Sequence, residues 1–568
     1  REAAAGRPPE AAGAPPPAPV AVAPLSEHRL DFPADVKTGS WSNQIPAYVE
    51  RAAPCNGACP AGNDVVGFVQ ALRRDSGIAA EVLLRSQPLP SVCGRVCPAP
   101  CMAACNRGAF DGAVNIRGLE RWIGDHAATP ARVPVATPQR RVAIVGGGPA
   151  GLGAAWELAR AGHEPTLYEA APVLGGVLAA GIPRYRLPDA ALKRDIDRIL
   201  AAGASARCGE RIGRDALAHL QAGHDAVLVC TGFGAALRLG IDGEALDGIE
   251  QGLDFLARAR QGAAALQGHV LVVGGGNTAM DCARSALRCG AATVTIACRE
   301  ADEDMPAIAE EVDGAAQEGV RFLLRRQPLA FTGSGAVSGA TLGGVEPGPP
   351  DERGRPGFVA TAHTESLACD HVIVAIGQQA HEDLLPQDWR VQDGRAWRGD
   401  EALAVWLAGD CARGEGTVAH AIGDGRRAAR AALAVLAGGA AQAAAAMGPV
   451  VAPFVASLVA PGEILISHFD AMPPQRDRQV PAAARRAGFD EVIQGLAGPE
   501  EAQRCFSCGH CTHCDTCLVY CPEGVIARRG NGYMVDPVFC KGCGMCVAEC
   551  PRGAMEMHEK HATPRSVP

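Results

Sequence analysis

Two stretches of this chain run the same course. Each begins with a short apolar run, turns through a cluster of glycines and continues as a helical pattern rich in small residues. The first is RVAIVGGGPAGLGAAWELARAG, from Arg141; the second is HVLVVGGGNTAMDCARSALRCG, from His269. Unbroken β-branched runs such as Arg141–Val145 suit parallel strands buried on both faces. Further strands are expected at EPTLYEA, which includes Glu169, and at ATVTIAC, ending at Cys298. Strand, glycine turn and helix in this order predict an α/β fold with two Rossmann-like dinucleotide-binding domains.

The pattern changes on both sides of these units. Residues 1–44 are led by an Ala/Pro-rich stretch (PPEAAGAPPPAPVAVAP) and read as a disordered tail. Residues 45–135 carry helical patterns. One nucleotide domain is expected over 136–245 and 370–436, with the second, 246–369, inserted in it. Residues 437–500 read as a linker and 501–568 as a small α+β domain.

Composition narrows the class. Glycine contributes 69 of 568 residues and aromatics only 4 %, which suits backbones that approach helices and ligands closely. The net charge of −9 gives no basic field for nucleic acid. No apolar stretch is long enough to span a bilayer, and no secretory signal is expected. The 23 cysteines change the picture most. Sixteen fall in two dense groups, Cys55–Cys105 and Cys505–Cys550. Disulfides prefer small secreted scaffolds, whereas this spacing in a large α/β chain favours metal and a reducing cytoplasm. The other seven (Cys208, Cys230, Cys282, Cys289, Cys298, Cys369 and Cys411) are expected as small buried hydrophobes.

Gly146, Gly148 and Gly151 form G-x-G-x-x-G at the strand–helix turn, with Pro149 and Ala150 opening the helix. Glycine there permits the tight turn, the close approach of a pyrophosphate and helix–strand packing. The helix N-terminus offers free N–H groups and a favourable dipole. Glu169 stands 23 residues after Gly146, where an acid binds ribose hydroxyls. The second unit has Gly274, Gly276, Asn277, Thr278, Ala279 and Asp281. Its next strand leads into Arg299, Glu300, Ala301 and Asp302. One cation among acids is a poor 2′-phosphate site, and an acid suits a free ribose hydroxyl, so NAD(H) is expected over NADP(H).

At the C-terminus, Cys511, Cys514, Cys517 and Cys521 with a following Pro form C-x₂-C-x₂-C-x₃-C-P, and Cys540, Cys543, Cys546 and Cys550 repeat it. This is the two-cluster bacterial ferredoxin spacing, in which the fourth Cys of each run serves the other cluster. One [4Fe–4S] cluster is expected on Cys511, Cys514, Cys517 and Cys550, the other on Cys540, Cys543, Cys546 and Cys521. Zinc is the alternative that the doubled motif argues against.

Eight stretches, in order from about residue 50 to 430, resemble the glutamate synthase small-subunit family: CNGACPAGNDV, GRVCPAPCMAAC, VAIVGGGPAGLGAA, LGGVLAAGIPRYRLP, GGGNTAMD, DEDMPA, DHVIVAIGQ and AGDCARGEGTVAHAIGDGRRAA. Its relatives include the N-terminal half of dihydropyrimidine dehydrogenase and the large subunit of a bifurcating ferredoxin:NADP transhydrogenase. The resemblance implies FAD on the first unit, a nicotinamide nucleotide on the second, and one or two [4Fe–4S] clusters in the N-terminal helical domain. It extends the cofactor contacts to Gly176, Arg184, Gly232, Gly377, Gly409, Asp410 and Thr417. Asp410 would hold the ribityl chain, the alternative being a helix cap; His420 reads as packing. Where relatives using NADP carry a basic run before Met-Pro, this chain has READEDMP. The cofactors carry the hydride chemistry, so no catalytic acid or base is nominated.

By motif position the family's flavin-side cluster falls on Cys59, Cys97, Cys101 and Glu120, although Glu120 reads equally as a solvated helix residue. For the family's second cluster only Cys55 and Cys105 match, because no cysteine precedes Cys55. Either that cluster is absent or its missing ligands come from elsewhere. Cys505 and Cys508, in EAQRCFSCG, resemble the absent segment. They complete the cluster, from the same chain or a dimer mate, or they are a structural thiol pair. Cys93 matches no ligand position.

These features point to an electron-transfer flavoprotein subunit linking NAD(H) to the catalytic subunits of a larger complex. DPVFCKGCGMCVAECPRGAMEM resembles the ferredoxin subunit of 2-oxoacid:acceptor oxidoreductases, which favours that partner. A dissimilatory sulfite reductase or a glutamate synthase-type enzyme is the alternative partner. A self-contained small-molecule reductase and a non-enzymatic cluster scaffold are the competing classes.

Overall fold

The computed structural model describes residues 38–49, 51–126, 139–350, 357–380, 384–414, 416–438, 458–530 and 532–560. Most of the expected tail, and the start of the expected linker, lie outside the described residues. The chain forms two compact units, one of residues 49–512 with 551–554, the other of residues up to 48 with 513–550 and 555 onward.

In the larger unit, Arg141–Val145 does form a buried strand, because its β-branched side chains fill the space between helices on both faces. It is an interior strand of a seven-stranded sheet. Ser205–Cys208, Glu164–Glu169, Arg141–Val145, Ala226–Val229 and Glu401–Leu407 run parallel, and Arg395–Arg398 and Trp389–Gln392 extend that edge antiparallel. Between Ala226–Val229 and Glu401–Leu407 the chain builds a second, fully parallel sheet in the order Arg321–Leu323, Thr293–Ala297, His269–Val273, His371–Val374, Ile249–Gln251. A three-stranded antiparallel sheet, Arg326–Ser334, Ala336–Gly348 and Gly357–Ala368, is attached to it. His371–Val374 lies beyond the expected boundary at 370, yet it is an interior strand of the inserted domain. Its run HVIV suits either parallel sheet, so pattern alone could not assign it.

The N-terminal part of this unit is helical. Val65–Leu72 is capped by Asp64, which accepts from the Gly67 N–H at 2.9 Å, and Ser76–Leu84 by Asp75, which accepts from Gly77 and Ile78. With Pro90–Val96 and Ile116–His126 these helices bury Phe68, Leu83, Leu89, Leu119 and Ile123. Residues 458–512 belong to the same unit. Their described part is ordered, with a strand pair at Arg478–Gln479 and Ile493–Gly495.

The smaller unit holds two antiparallel pairs, Gln44–Tyr48 with Met555–Glu559 and Ile526–Arg529 with Gly532–Val535, and the short helices Thr516–Val519 and Met545–Ala548. Gln44 was expected in the tail and residues 45–48 at the start of the helical domain. The strand's partner lies some five hundred residues away, beyond the reach of a local pattern.

Candidate functional site

The two glycine turns are built alike. Gly146 and Gly274 have φ of +108° and +132°. A Cβ on either would collide with a carbonyl of the neighbouring strand's end, Cys230 or Ala375. Each turn ends in a helix, Pro149–Arg160 or Asn277–Arg288, whose first N–H groups have no helical partner. Glu169 closes the first turn: its carboxylate accepts from the Gly147 N–H at 2.7 Å and the Ala171 N–H at 2.8 Å. Glu300 reaches the same place in the second, with its carboxylate against Gly275. Arg299 does not; its guanidinium lies 4.8 Å from the Phe358 ring.

Gly232, Gly377 and Gly409 follow the carboxyl ends of parallel strands, where open α/β sheets bind ligands. Gly176 packs against Gly148, and Arg184 pairs with Asp189 at 2.8 Å. Asp410 starts the short helix Asp410–Arg413. Thr417 caps the long helix Val418–Leu436 by accepting from the His420 N–H. His420, expected to pack, is exposed and shares that cap through Nδ1, 2.8 Å from the Thr417 hydroxyl. The long helix crosses the first turn so closely that a Cβ on Gly425 would strike the Ala150 carbonyl.

Asp281 is the clearest departure among the expected nucleotide contacts. Both carboxylate oxygens are engaged by protein, one accepting from Arg186 at 2.7 Å and the other from the Tyr185 hydroxyl at 3.3 Å. It belongs to a buried ion-pair network with Arg284 and Glu311. Of the scattered cysteines, Cys230, Cys282, Cys298 and Cys369 are buried, Cys289 and Cys411 are half-buried, and Cys208 is exposed.

The clustered cysteines line three cavities. Cys59, Cys97 and Cys101 share one of about 310 Å³ with Glu120, Asn63, Gln87 and Ala419. Glu120 is not solvated. It is buried in Ile116–His126, and its Oε1 has no protein partner. Burial, then Asp195, push its carboxyl up to about 8. Burial also pushes the Cys59 thiol up to about 11 and Cys97 to about 12. A buried carboxyl oxygen without a hydrogen bond, facing three such thiols, fits a metal cluster that would draw off their protons.

Cys55, Cys105, Cys505 and Cys508 line a second cavity, of about 370 Å³, with Asn106, Arg107 and Phe506. Val65 and Ile116 form walls of both cavities. Burial raises the Cys55 thiol, and Cys505, Cys105 and Cys508 raise it further. The third cavity, of about 320 Å³ in the smaller unit, brings Cys521 to Cys540, Cys543 and Cys546. Cys517 and Cys550 share the small apolar core of that unit with Cys521 and Cys546, and the Tyr48 hydroxyl lies 2.7 Å from the Cys517 sulfur. Cys511 falls in the larger unit, just before its boundary, and Cys514 is exposed in the smaller. Among the described residues no three or more His, Cys, Asp or Glu converge as they would on one ion; the thiols stand around the cavity walls instead. Cys93 is buried in Pro90–Val96 and lines none of the three cavities.

Sequence reading missed the side chains that complete these sites. Asn63 and Gln87 at the first, Asn106 at the second and Tyr48 beside Cys517 are ordinary residues in their own segments, and only the fold brings them to sulfur. Among the described residues no helix is long and apolar enough to cross a membrane.

Comparison with known proteins agrees with this architecture. Residues 140–425 match the family described as pyridine nucleotide-disulphide oxidoreductase. Residues 49–131 match the dihydropyrimidine dehydrogenase domain II with a 4Fe-4S cluster, and 510–554 the 4Fe-4S dicluster domain. The chain is 36 % identical over 507 residues to the NADP(+)-dependent formate dehydrogenase subunit beta of Moorella thermoacetica, covering 80 % of this chain and 70 % of that one. It is 38 % identical over 382 residues to the NADPH-Fe(3+) oxidoreductase subunit beta of Geobacter sulfurreducens, covering 64 % of this chain and 56 % of that one. It is 33 % identical over 450 residues to the glutamate synthase [NADPH] small chain of Escherichia coli, covering 72 % and 94 %. The chain belongs to the pyridine nucleotide-disulphide oxidoreductase family, as a glutamate synthase small-chain-like flavoprotein with iron–sulfur domains toward both termini.

Proposed function

We propose that this chain is an electron-transfer subunit that exchanges electrons between NAD(H) and a separate catalytic subunit. The observation that carries this reading is the order of the sites. Ala419, just inside the helix capped by Thr417, lines the Cys59–Glu120 cavity, and Val65 and Ile116 separate that cavity from the next. FAD, when bound, would convert a two-electron hydride into single electrons, and the clusters would carry these one at a time. The chain's own residues bind and orient. The first glycine turn and Glu169 would hold the flavin nucleotide, and the second turn the nicotinamide nucleotide. Cys59, Cys97, Cys101 and Glu120 would hold one cluster, Cys521, Cys540, Cys543 and Cys546 another, and Cys514, Cys517 and Cys550 would serve a third.

For the nucleotide, the Glu300 carboxylate against Gly275 favours a free ribose hydroxyl and repels a 2′-phosphate. The relatives are themselves named for NADP(H). Steady-state kinetics of the holoprotein with an artificial acceptor separates the two: we expect higher kcat/KM with NADH, and Glu300→Arg to move the ratio toward NADPH by about tenfold or more, roughly 1.4 kcal/mol. A wild-type preference for NADPH overturns the NAD(H) assignment.

For the partner, the ferredoxin-like module suggests a 2-oxoacid:acceptor oxidoreductase, and we place the protein in the cytoplasm. The relatives' names add formate dehydrogenase and glutamate synthase as partner types. Co-purifying subunits with thiamine diphosphate support the 2-oxoacid reading. Turnover of a small substrate by the isolated chain overturns the subunit reading altogether.

A further inference from the structure

We propose that Cys55 and Cys105, from the N-terminal helical domain, and Cys505 and Cys508, from the segment that follows the nucleotide domains, are the four ligands of one [4Fe–4S] cluster, so that cluster assembly clasps residues 458–508 onto the start of the chain. The proposal rests on the cluster-bearing character of the family, but not on the nucleotide or partner assigned above.

Three observations carry it. The first is the shared cavity, in which two thiols from each of two segments about four hundred residues apart in sequence face the same space. The second is backbone conformation. Ser507 is a fully buried residue with φ +57°, one position before Cys508. His513, one before Cys514, has φ +57°, and Gly542, one before Cys543, has φ +65°. The Cys505–Cys508 loop thus shares its left-handed third residue with both ferredoxin runs. A buried non-glycine stays in that conformation only where the surrounding structure fixes it, and such residues cluster at functional sites. The Ser507 N–H also faces the Cys505 sulfur at 3.4 Å.

The third observation is how firmly the loop is presented. Arg504 is 1 % exposed and donates to the carbonyls of Met472, Gly112 and Ala113 and to Asp111. Its partner Glu501 is fully buried and accepts from Arg504 at 2.7 Å and from the Asn115 and Gln475 N–H groups. Phe506 packs on Phe469, ring centres 4.4 Å apart, beneath the Arg107 guanidinium. Asn106 donates to the Val459 carbonyl and toward the Cys508 sulfur at 3.5 Å. One further polar atom here, the Ser507 hydroxyl, has no protein partner. Iron and sulfide from cluster assembly would enter, and each thiol would release its proton as it becomes a ligand.

The test uses the full chain. The double variants Cys55→Ser/Cys105→Ser and Cys505→Ser/Cys508→Ser are compared for iron, acid-labile sulfide and the electron paramagnetic resonance spectrum after reduction, with flavin absorbance as the control for folding. Each double variant is expected to lose one cluster's worth of iron and the same spectral component, with flavin retained. Full iron in either variant, or loss of different components, overturns the proposal. Should a variant lose its flavin, alkylation of the wild type decides: Cys55, Cys105, Cys505 and Cys508 become reactive together when the cluster is oxidatively dismantled, and independent exposure of the two pairs overturns the clasp.

Discussion

The two cysteine cavities of the larger unit share walls but not a construction. The first draws all its sulfur and carboxylate from a local stretch, Cys59 to Glu120, and takes one further wall from Ala419 of the long helix. The second takes half its thiols from the same stretch and half from beyond the nucleotide domains. The local cavity finds all its sulfur and carboxylate ligands within the helical domain. The non-local one closes only after the segment around Arg504 has docked, which carries the entropy of closing a very long loop. The buried Glu501–Arg504–Asp111 network and the Phe469–Phe506 pair offset that cost.

That difference predicts separable failures. The largest effect is expected from Arg504→Ala, which leaves Glu501 buried without its cation. Breaking such a pair costs about 3–5 kcal/mol. Denaturant unfolding should show the loss, and iron should leave the non-local cavity while the local spectral component remains; loss of both together would erase the distinction. Glu120→Ala should do the reverse, emptying the local cavity of iron, whereas Glu120→Gln should keep it by retaining an oxygen ligand. Iron counts with redox-poised spectra check both. The smallest effect is expected from Asn106→Ala. It removes a donor to the Cys508 sulfur, worth about 1 kcal/mol. Because the donor favours the more negative reduced state, redox titration should show the non-local component shifted to lower potential, by about 40 mV for one electron. An unchanged potential would show that Asn106 serves only the Val459 carbonyl.

How much of this was legible depends on the range of each interaction. The glycine turns were legible because Gly146 and Gly274 answer to strand, turn and helix within a dozen residues. Glu169 was legible by spacing, and its bonds to Gly147 and Ala171 are local. Asp281 misled for the opposite reason. Its place behind the turn suited a nucleotide contact, but Tyr185 and Arg186, nearly a hundred residues earlier, take both its oxygens. The strand His371–Val374 went to the neighbouring domain because a short buried run carries no label for its sheet. Glu120 looked equally like a surface residue, because helical periodicity does not say which face a cavity will occupy.

The sequence by itself determined the classes of chemistry: two dinucleotide turns, a doubled ferredoxin motif, and thiolate sites in place of disulfides. Those follow from residue types at short fixed spacings, where backbone geometry leaves few alternatives. Only the tertiary structure decided which cysteines share a cavity, that Glu120 is buried with its Oε1 unpartnered, and that Cys505 and Cys508 stand with Cys55 and Cys105. Those depend on contacts across hundreds of residues, set by the burial of Arg504, Glu501 and Phe506 rather than by any pattern around the cysteines themselves.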